Sequence, residues 1–554
     1  MLPLEEKTMS AIDVPVAETG STSKPEYLHS WRLAIVITSL FLGQLLMALD
    51  VNIINVAIPE ISTHFAALND VAWYGAAYLL TITAFQPSFG TVYCYFDIDV
   101  TYKVCIIIFE VGSVLCAAAS SSEMFIVGRA IAGFGAAGVL QGALAVIGSV
   151  VELEKRPLYM GIVVSVFAVT VCVGPILGGV FTQRSTWRWC FWINLPIGGV
   201  VLALLFGFLS VPGARNENRT LPLKKKLQHL DPFGCLTFVS AVTCLLLALQ
   251  WGGQTKPWES ATIIGLLVGF VALISVFCYI QWRKKEEATI PIRVLFKRSI
   301  WTSALGLFCL GAVIYMLAFY IPFYFQTVRG ETPISVGVRF IPLMLPQILA
   351  LLVAGAIASQ YGYYVPYIVL GEIICVVGLA MLTHLSPTTT TAMWAASLVI
   401  TGVGMGTAMQ LPYTAIQITL SEEDVPIGNA IAVFSNQLGG AIGVAMGQTI
   451  VLNTLVTEVP KAIPSLTGRL VMAAGATDLQ RIAGSPAGEL ILRAIWNKAM
   501  VRTLYLSVAF ASSAIPFALG MEWLNAKKVA EQRKAAVGTV KEKVGDQNDD
   551  SPTE

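Results

Sequence analysis

GRAIAGFGAAGVLQGAL, residues 128–144, is the stretch that decides the class of this chain. It lies in an apolar run, near residues 124–149, long enough to cross ~30 Å of hydrocarbon as a helix. Arg129 interrupts that run, and a charge at membrane depth costs about 2.5–3.5 kcal/mol even on the lenient insertion scale. It needs a partner, a water-filled cavity or a place near the interface.

Outward from this stretch the pattern recurs. About fourteen apolar runs lie between residues 33 and 523, separated by short polar breaks. They lack the alternation of barrel strands, so the expectation is an all-α membrane protein of fourteen transmembrane helices. Composition agrees: 56% of the 554 residues are hydrophobic and 12% are charged. A soluble chain carries about 25% charged residues. The expected organisation is a disordered cytosolic arm (1–30), a six-helix bundle (31–212) and an inserted helix pair with basic flanks (213–299). A second six-helix bundle (300–523) follows, with a long extracellular loop at 453–499, and then a disordered tail (524–554). Weak echoes support duplication: Gly90 against Gly355 and Gly362, and GPILGG against QLGGAIG.

Lys and Arg gather in alternate connections, including Lys224, Lys225, Lys226 and Arg283, Lys284, Lys285, which places both termini in the cytosol. The sequon at Asn218 then falls on the cytosolic side and is expected to be silent.

Several functions are excluded. Ten cysteines are scattered singly with no CxxC pair, and His29, His64, His229 and His384 are dispersed, so no metal site is expected. Neither a GxxxxGK[ST] phosphate loop nor a GxSxG elbow occurs, which argues against an ATP-driven pump or a hydrolase and implies no cofactor. A net charge of +1 without a basic block gives no reason to expect nucleic acid.

Three ionisable residues lie inside apolar runs of the first half: Asp50, Glu110 and Arg129. Asp50 falls ~25 Å above the start of its outward run and Arg129 ~7 Å below the outer end of a returning one, so the two share a height and can pair. A structural ion pair and a functional one both suit this geometry. In the fifth run Gly174 and Gly178 form a small-xxx-small face, with Gly179 beside it, and Pro175 removes a backbone hydrogen bond. Gln141, Tyr315, Tyr320, Tyr324, Gln326, Gln410, Tyr413 and Gln417 offer aromatic area with a few hydrogen bonds, suited to a cavity for bulky ligands. Each singly also suits helix packing. Asn436 and Gln437 are candidates for interhelical bonds.

With LDVNIINVAIP (residues 49–59), the stretch at 128–144, GPILGG (174–179) and STWRWCFWINLPIGG (185–199), the chain resembles the fourteen-helix drug:proton antiporters of the major facilitator superfamily, in the fungal branch that exports toxins and other secondary metabolites. The resemblance implies the major facilitator fold and proton-coupled efflux of a hydrophobic or amphipathic small molecule by a monomer. It implies proton-coupling roles for Asp50, Arg129 and Glu110, and an antiporter signature at Gly174, Pro175, Gly178 and Gly179. A plasma-membrane location is expected, with vacuole or vesicle as alternatives. Siderophore transport, vacuolar amino-acid transport and a nontransporting receptor are the competing functions. One departure stands out: the family's basic loop after the second helix here reads GTVYCYFDID (90–99), with Cys94 at the acidic position.

Overall fold

A computed structural model describes residues 30–65, 67, 70–209, 221–253, 256–285, 288–331, 333–474, 482–533 and 535. The N-terminal arm and Asn218 lie outside the described residues.

The helices are α1 Ser30–Phe65, α2 Val71–Tyr95, α3 Ile98–Ala117, α4 Ser122–Val150, α5 Arg156–Val164, α6 Val166–Arg184, α7 Trp189–Trp192 and α8 Asn194–Phe208. Then come α9 Leu223–His229, α10 Pro232–Trp251, α11 Ala261–Lys284, α12 Ile292–Leu295, α13 Arg298–Phe323, α14 Pro333–Tyr361 and α15 Val365–Leu382. The last are α16 Thr391–Met409, α17 Leu411–Thr419, α18 Val425–Ala462, α19 Gly468–Ala474 and α20 Pro486–Gly520. No β-strand forms among the described residues. Helices are one of the two architectures a bilayer admits, and the one in which each segment pairs its own backbone groups.

Among the described residues twelve helices are long and apolar enough to cross a membrane, or thirteen if the α5–α6 pair is one bent span. That pair bends by 47° between Arg156–Val171 and Ile176–Thr182, a break containing Pro175, which has no amide hydrogen to donate. The 25-residue α2 is long enough to span but is not among the twelve, for it carries Thr81, Thr83, Gln86, Ser88 and Thr91.

Helices in lipid gain nothing from the hydrophobic effect when they meet, so close backbone approach holds them together. Two seams show it. A Cβ at Gly135 of α4 would stand 2.5 Å from Phe109 N of α3, and one at Gly371 of α15 would stand 2.8 Å from Ala408 N of α16. Only glycine fits either position.

The expected polar loop at 453–499 is largely helix instead. Helix α18 continues to Ala462, α20 begins at Pro486 with Ser485 Oγ capping Gly488 N at 3.1 Å, and Lys498 pairs with Glu458 at 3.1 Å. Charges end an apolar run without ending a helix, which is why hydropathy misplaced these boundaries. The expected disordered tail also begins ordered: residues 526–533 are helical, Ala526 N donates to Gly362 O at 2.8 Å, and Arg533 Nη2 donates to Ile418 O at 2.7 Å.

The pair α10–α11, expected as an insertion, packs on α18 with Phe238 against Phe434 at 5.1 Å between ring centroids. At the start of α10 stands Asp231, left-handed at φ 46°, whose carboxylate takes Gly234 N at 3.0 Å, Gln281 Nε2 at 2.9 Å and Lys284 Nζ at 2.9 Å. Burial pushes this carboxyl up, but Lys284, the Gly234 amide and Gln281 outweigh it and hold it below the ordinary range.

Candidate proton-coupling and transport site

Asp50 and Arg129 meet. Both side chains are almost wholly buried, and the guanidinium donates through Nη1 to Asp50 Oδ2. Arg129 Nε donates to Tyr74 O at 2.9 Å, and the guanidinium lies 4.4 Å from the Tyr78 ring centroid. The arginine is thus fixed by α1 and α2 together, whereas Asp50 Oδ1 accepts no close hydrogen bond and has only the Asn194 amide beside its carboxylate. A buried carboxylate with one bonded and one open oxygen can exchange the arginine for a proton.

Asn194, the first residue of α8, is fully buried beside Asp50 and donates through Nδ2 to Ser113 Oγ at 3.2 Å. One turn later Gly198 leaves room for Glu110, whose carboxylate occupies the volume a Cβ there would need. Both Glu110 oxygens lack partners. The stretch at 185–199 therefore has a local reason: Asn194 and Gly198 share one face and carry α8 over Ser113 and Glu110 of α3. Nearby, Arg188 ties down the end of α3 by donating to Ala117 O at 2.6 Å and Ala119 O at 2.8 Å. Sequence reasoning did not single out Asn194 or Tyr78; an amide inside an apolar run was the available signal for the first.

The glycines of the fifth run divide. A Cβ at Gly174 would stand 2.7 Å from Asn52 Cβ, two residues beyond Asp50, so α6 lies directly on the turn that holds the carboxylate. Asn52 Nδ2 also donates to Thr170 Oγ1 of α6 at 3.3 Å. Gly178 is buried, while a Cβ at Gly179 would meet nothing within 4 Å.

The predicted cavity residues do not form one group. Tyr315 donates to Gln437 Oε1 at 2.7 Å and lies near both Tyr413 and Tyr78, which links the aromatic patch to Arg129. Tyr320 donates to Val444 O at 2.8 Å and packs under Gly447, and Tyr324 donates to Ser386 O at 2.8 Å; both lock helices. Gln326 sits in a π-helical turn, Tyr324–Val328, that ends α13. Gln410 is buried at the break between α16 and α17, with Nε2 unpartnered. Asn436 Nδ2 donates to Leu307 O at 3.2 Å, the interhelical bond expected of it.

Gln141 and Gln417 cross between the two halves of the chain. Gln141 Nε2 donates to Pro426 O at 2.6 Å, and Gln417 Nε2 reaches Met160 Sδ at 3.8 Å. They belong to a seal at the end where α1 begins. There a Cβ at Gly90 would stand 2.6 Å from Ala430 Cβ, and Cys94 Sγ donates to Glu423 O at 3.2 Å. Arg293 of α12 grips Asp424 in a fork, at 2.6 and 3.1 Å. Residues 90–95 of the degenerate motif are thus the last turns of α2, which meet α18 at Gly90 and the turn before α18 at Cys94, and the segment after α11 supplies the charge. Among the described residues no cluster of His, Cys, Asp and Glu could hold a metal.

Residues 40–444 match the Major Facilitator Superfamily profile. The chain belongs to the major facilitator superfamily. It is a multi-pass membrane transporter of the major facilitator fold, and not an enzyme. The MFS-type transporter astH of Aspergillus oryzae is 39% identical, over 92% of this chain and 90% of that one. The MFS-type efflux pump MFS1 of Arthroderma benhamiae is 40% identical, over 94% and 98%. The aspyridones efflux protein of Neocamarosporium betae is 37% identical, over 92% and 90%. In fold, this major facilitator chain is similar to the human organic anion transporter MFSD10, with a TM-score of 0.53 at 13% identity over 86% of this chain and 100% of that one. A bacterial homologue of the lysosomal transporter Spinster, inward-facing and unoccupied, also gives 0.53, at 16% identity over 90% and 100%.

Proposed function

We propose that this protein is a proton-coupled antiporter of the fourteen-helix drug:proton branch, exporting a hydrophobic or amphipathic small molecule such as a toxin or other secondary metabolite. The observation that carries the reading is the contact of Gly174 with the Asp50 turn: the antiporter signature presses on the helix that holds the buried ion pair. A proton arriving at Asp50 releases Arg129, and that change is felt where α6 crosses α1. Two six-helix halves then rock about the site, with α10 and α11 as an inserted pair and α2 completing the fourteen spans. Relatives named as efflux pumps support outward transport.

In this reading the chain is a monomer in the lipid bilayer of the plasma membrane, with both termini cytosolic and Asn218 unglycosylated. The Tyr315–Tyr413 patch meets the substrate. The test is accumulation of a fluorescent lipophilic substrate in cells expressing the protein. Accumulation should fall, and a protonophore should restore it. A rise would point to import instead, and no change to a receptor.

A further inference from the structure

Helix α15 carries an acid that none of the preceding interactions uses. Glu372 is 1% exposed, and neither carboxylate oxygen has a hydrogen-bond partner. A charge so placed is costly, so the side chain is a neutral acid in this conformation. A neutral acid kept for architecture would donate its O–H to a neighbour, and Glu372 has no acceptor within reach.

The surroundings offer no compensating charge. Helix α16 has no ionisable residue, and α20 has none from Leu506 to Gly520, the part level with Glu372. The ionisable groups beside it are thiols, Cys309 of α13 and Cys375 of α15 itself; α15 also carries Tyr367, and Tyr413 of α17 lies instead beside Tyr315. Arg298 of α13 is spent at the surface, donating to Gly520 O at 2.6 Å.

Position supplies the second observation. Glu372 stands seven residues into α15, about 10 Å from the end of the molecule that the seal between the halves closes. The third long helix of the first half also carries an acid without partners at either oxygen, Glu110, though twelve residues in and so about 8 Å deeper. Each third helix packs on the fourth through a glycine seam, Gly135 on Phe109 and Gly371 on Ala408.

We infer that Glu372 is a proton-binding site of the second half, loaded in the conformation seen here and released when the inner seal opens to water. Its place in transport rests on the proton-coupled reading above; the binding of the proton does not. The export cycle then moves one more proton per substrate than Asp50 and Glu110 alone supply.

The test uses the full chain in lipid nanodiscs and dicyclohexylcarbodiimide, which modifies a protonated carboxyl in apolar surroundings. Labelling of Glu372, read by peptide mass spectrometry, should fall as pH rises; labelling that does not change with pH overturns the site. In proteoliposomes E372Q should move one proton fewer per substrate, and an unchanged ratio also overturns it. If the native protein ignores the proton gradient while Glu372 still labels in a pH-dependent way, the coupled reading fails and the binding site stands. Labelling needs no variant, so it decides the matter even if E372Q does not fold.

Discussion

Gly174 and Asn52 touch: a Cβ at the first would stand 2.7 Å from Cβ of the second, two residues from the Asp50 carboxylate. Overfilling such a contact costs about 1–3 kcal/mol. Gly174→Leu should therefore lower transport on the order of tenfold at equal surface expression, since 1.4 kcal/mol is a factor of ten. Gly179→Leu, at a position with nothing within 4 Å, should be tolerated. Equal losses from the two, read as substrate accumulation beside surface labelling, would reduce the signature to general packing.

The Asp50–Arg129 pair should behave as one unit. Removing one member of a buried pair leaves the other uncompensated, at about 3–5 kcal/mol. Asp50→Asn and Arg129→Ala should each abolish gradient-driven transport and lower the melting temperature, and the double variant should melt no lower than the worse single one. Additive losses in a double-mutant cycle would show that the two act separately.

Asp231 makes stability depend on acid. Its folded carboxyl titrates below its unfolded value of about 3.9, so its contribution is complete above that pH and disappears as pH falls through the lower folded value. Asp231→Asn should cost about 1–3 kcal/mol near neutrality. In melts of detergent-solubilised protein the gap from native should be constant near pH 7 and close only below about pH 4. A gap that closes already near neutrality would contradict the assigned partners.

The seal at the end where α1 begins should loosen when its fork is cut. Arg293 is half exposed and Asp424 largely buried, so their pair is worth at most about 1 kcal/mol. Arg293→Ala should raise maleimide labelling of Cys94 up to roughly fivefold, in a background where the other cysteines are replaced. Unchanged labelling would mean that α12 contributes nothing to closure.

The sequence by itself determined the solvent, the helical class, the family and the members of the central ion pair. Each is a local property: a segment in lipid must satisfy its own backbone and be apolar along its length, and a lone charge such as Arg129 announces itself against that background. Matching heights even foretold its pairing with Asp50. Hydropathy reports contact with lipid and not helicity, so it missed the helical extension of α18 to Ala462, the early start of α20 at Pro486 and the docked turns after Asn525. Only the tertiary structure decided which side chains face one another across long stretches of chain. It set Glu110 against Gly198, brought Arg293 to Asp424 across 131 residues, and gave Gln141 and Gln417 partners in the other half of the chain. It also left Glu372 without a partner, because a buried acid's neighbours come from other helices, whose rotation and depth are set by packing and not by any one segment's composition.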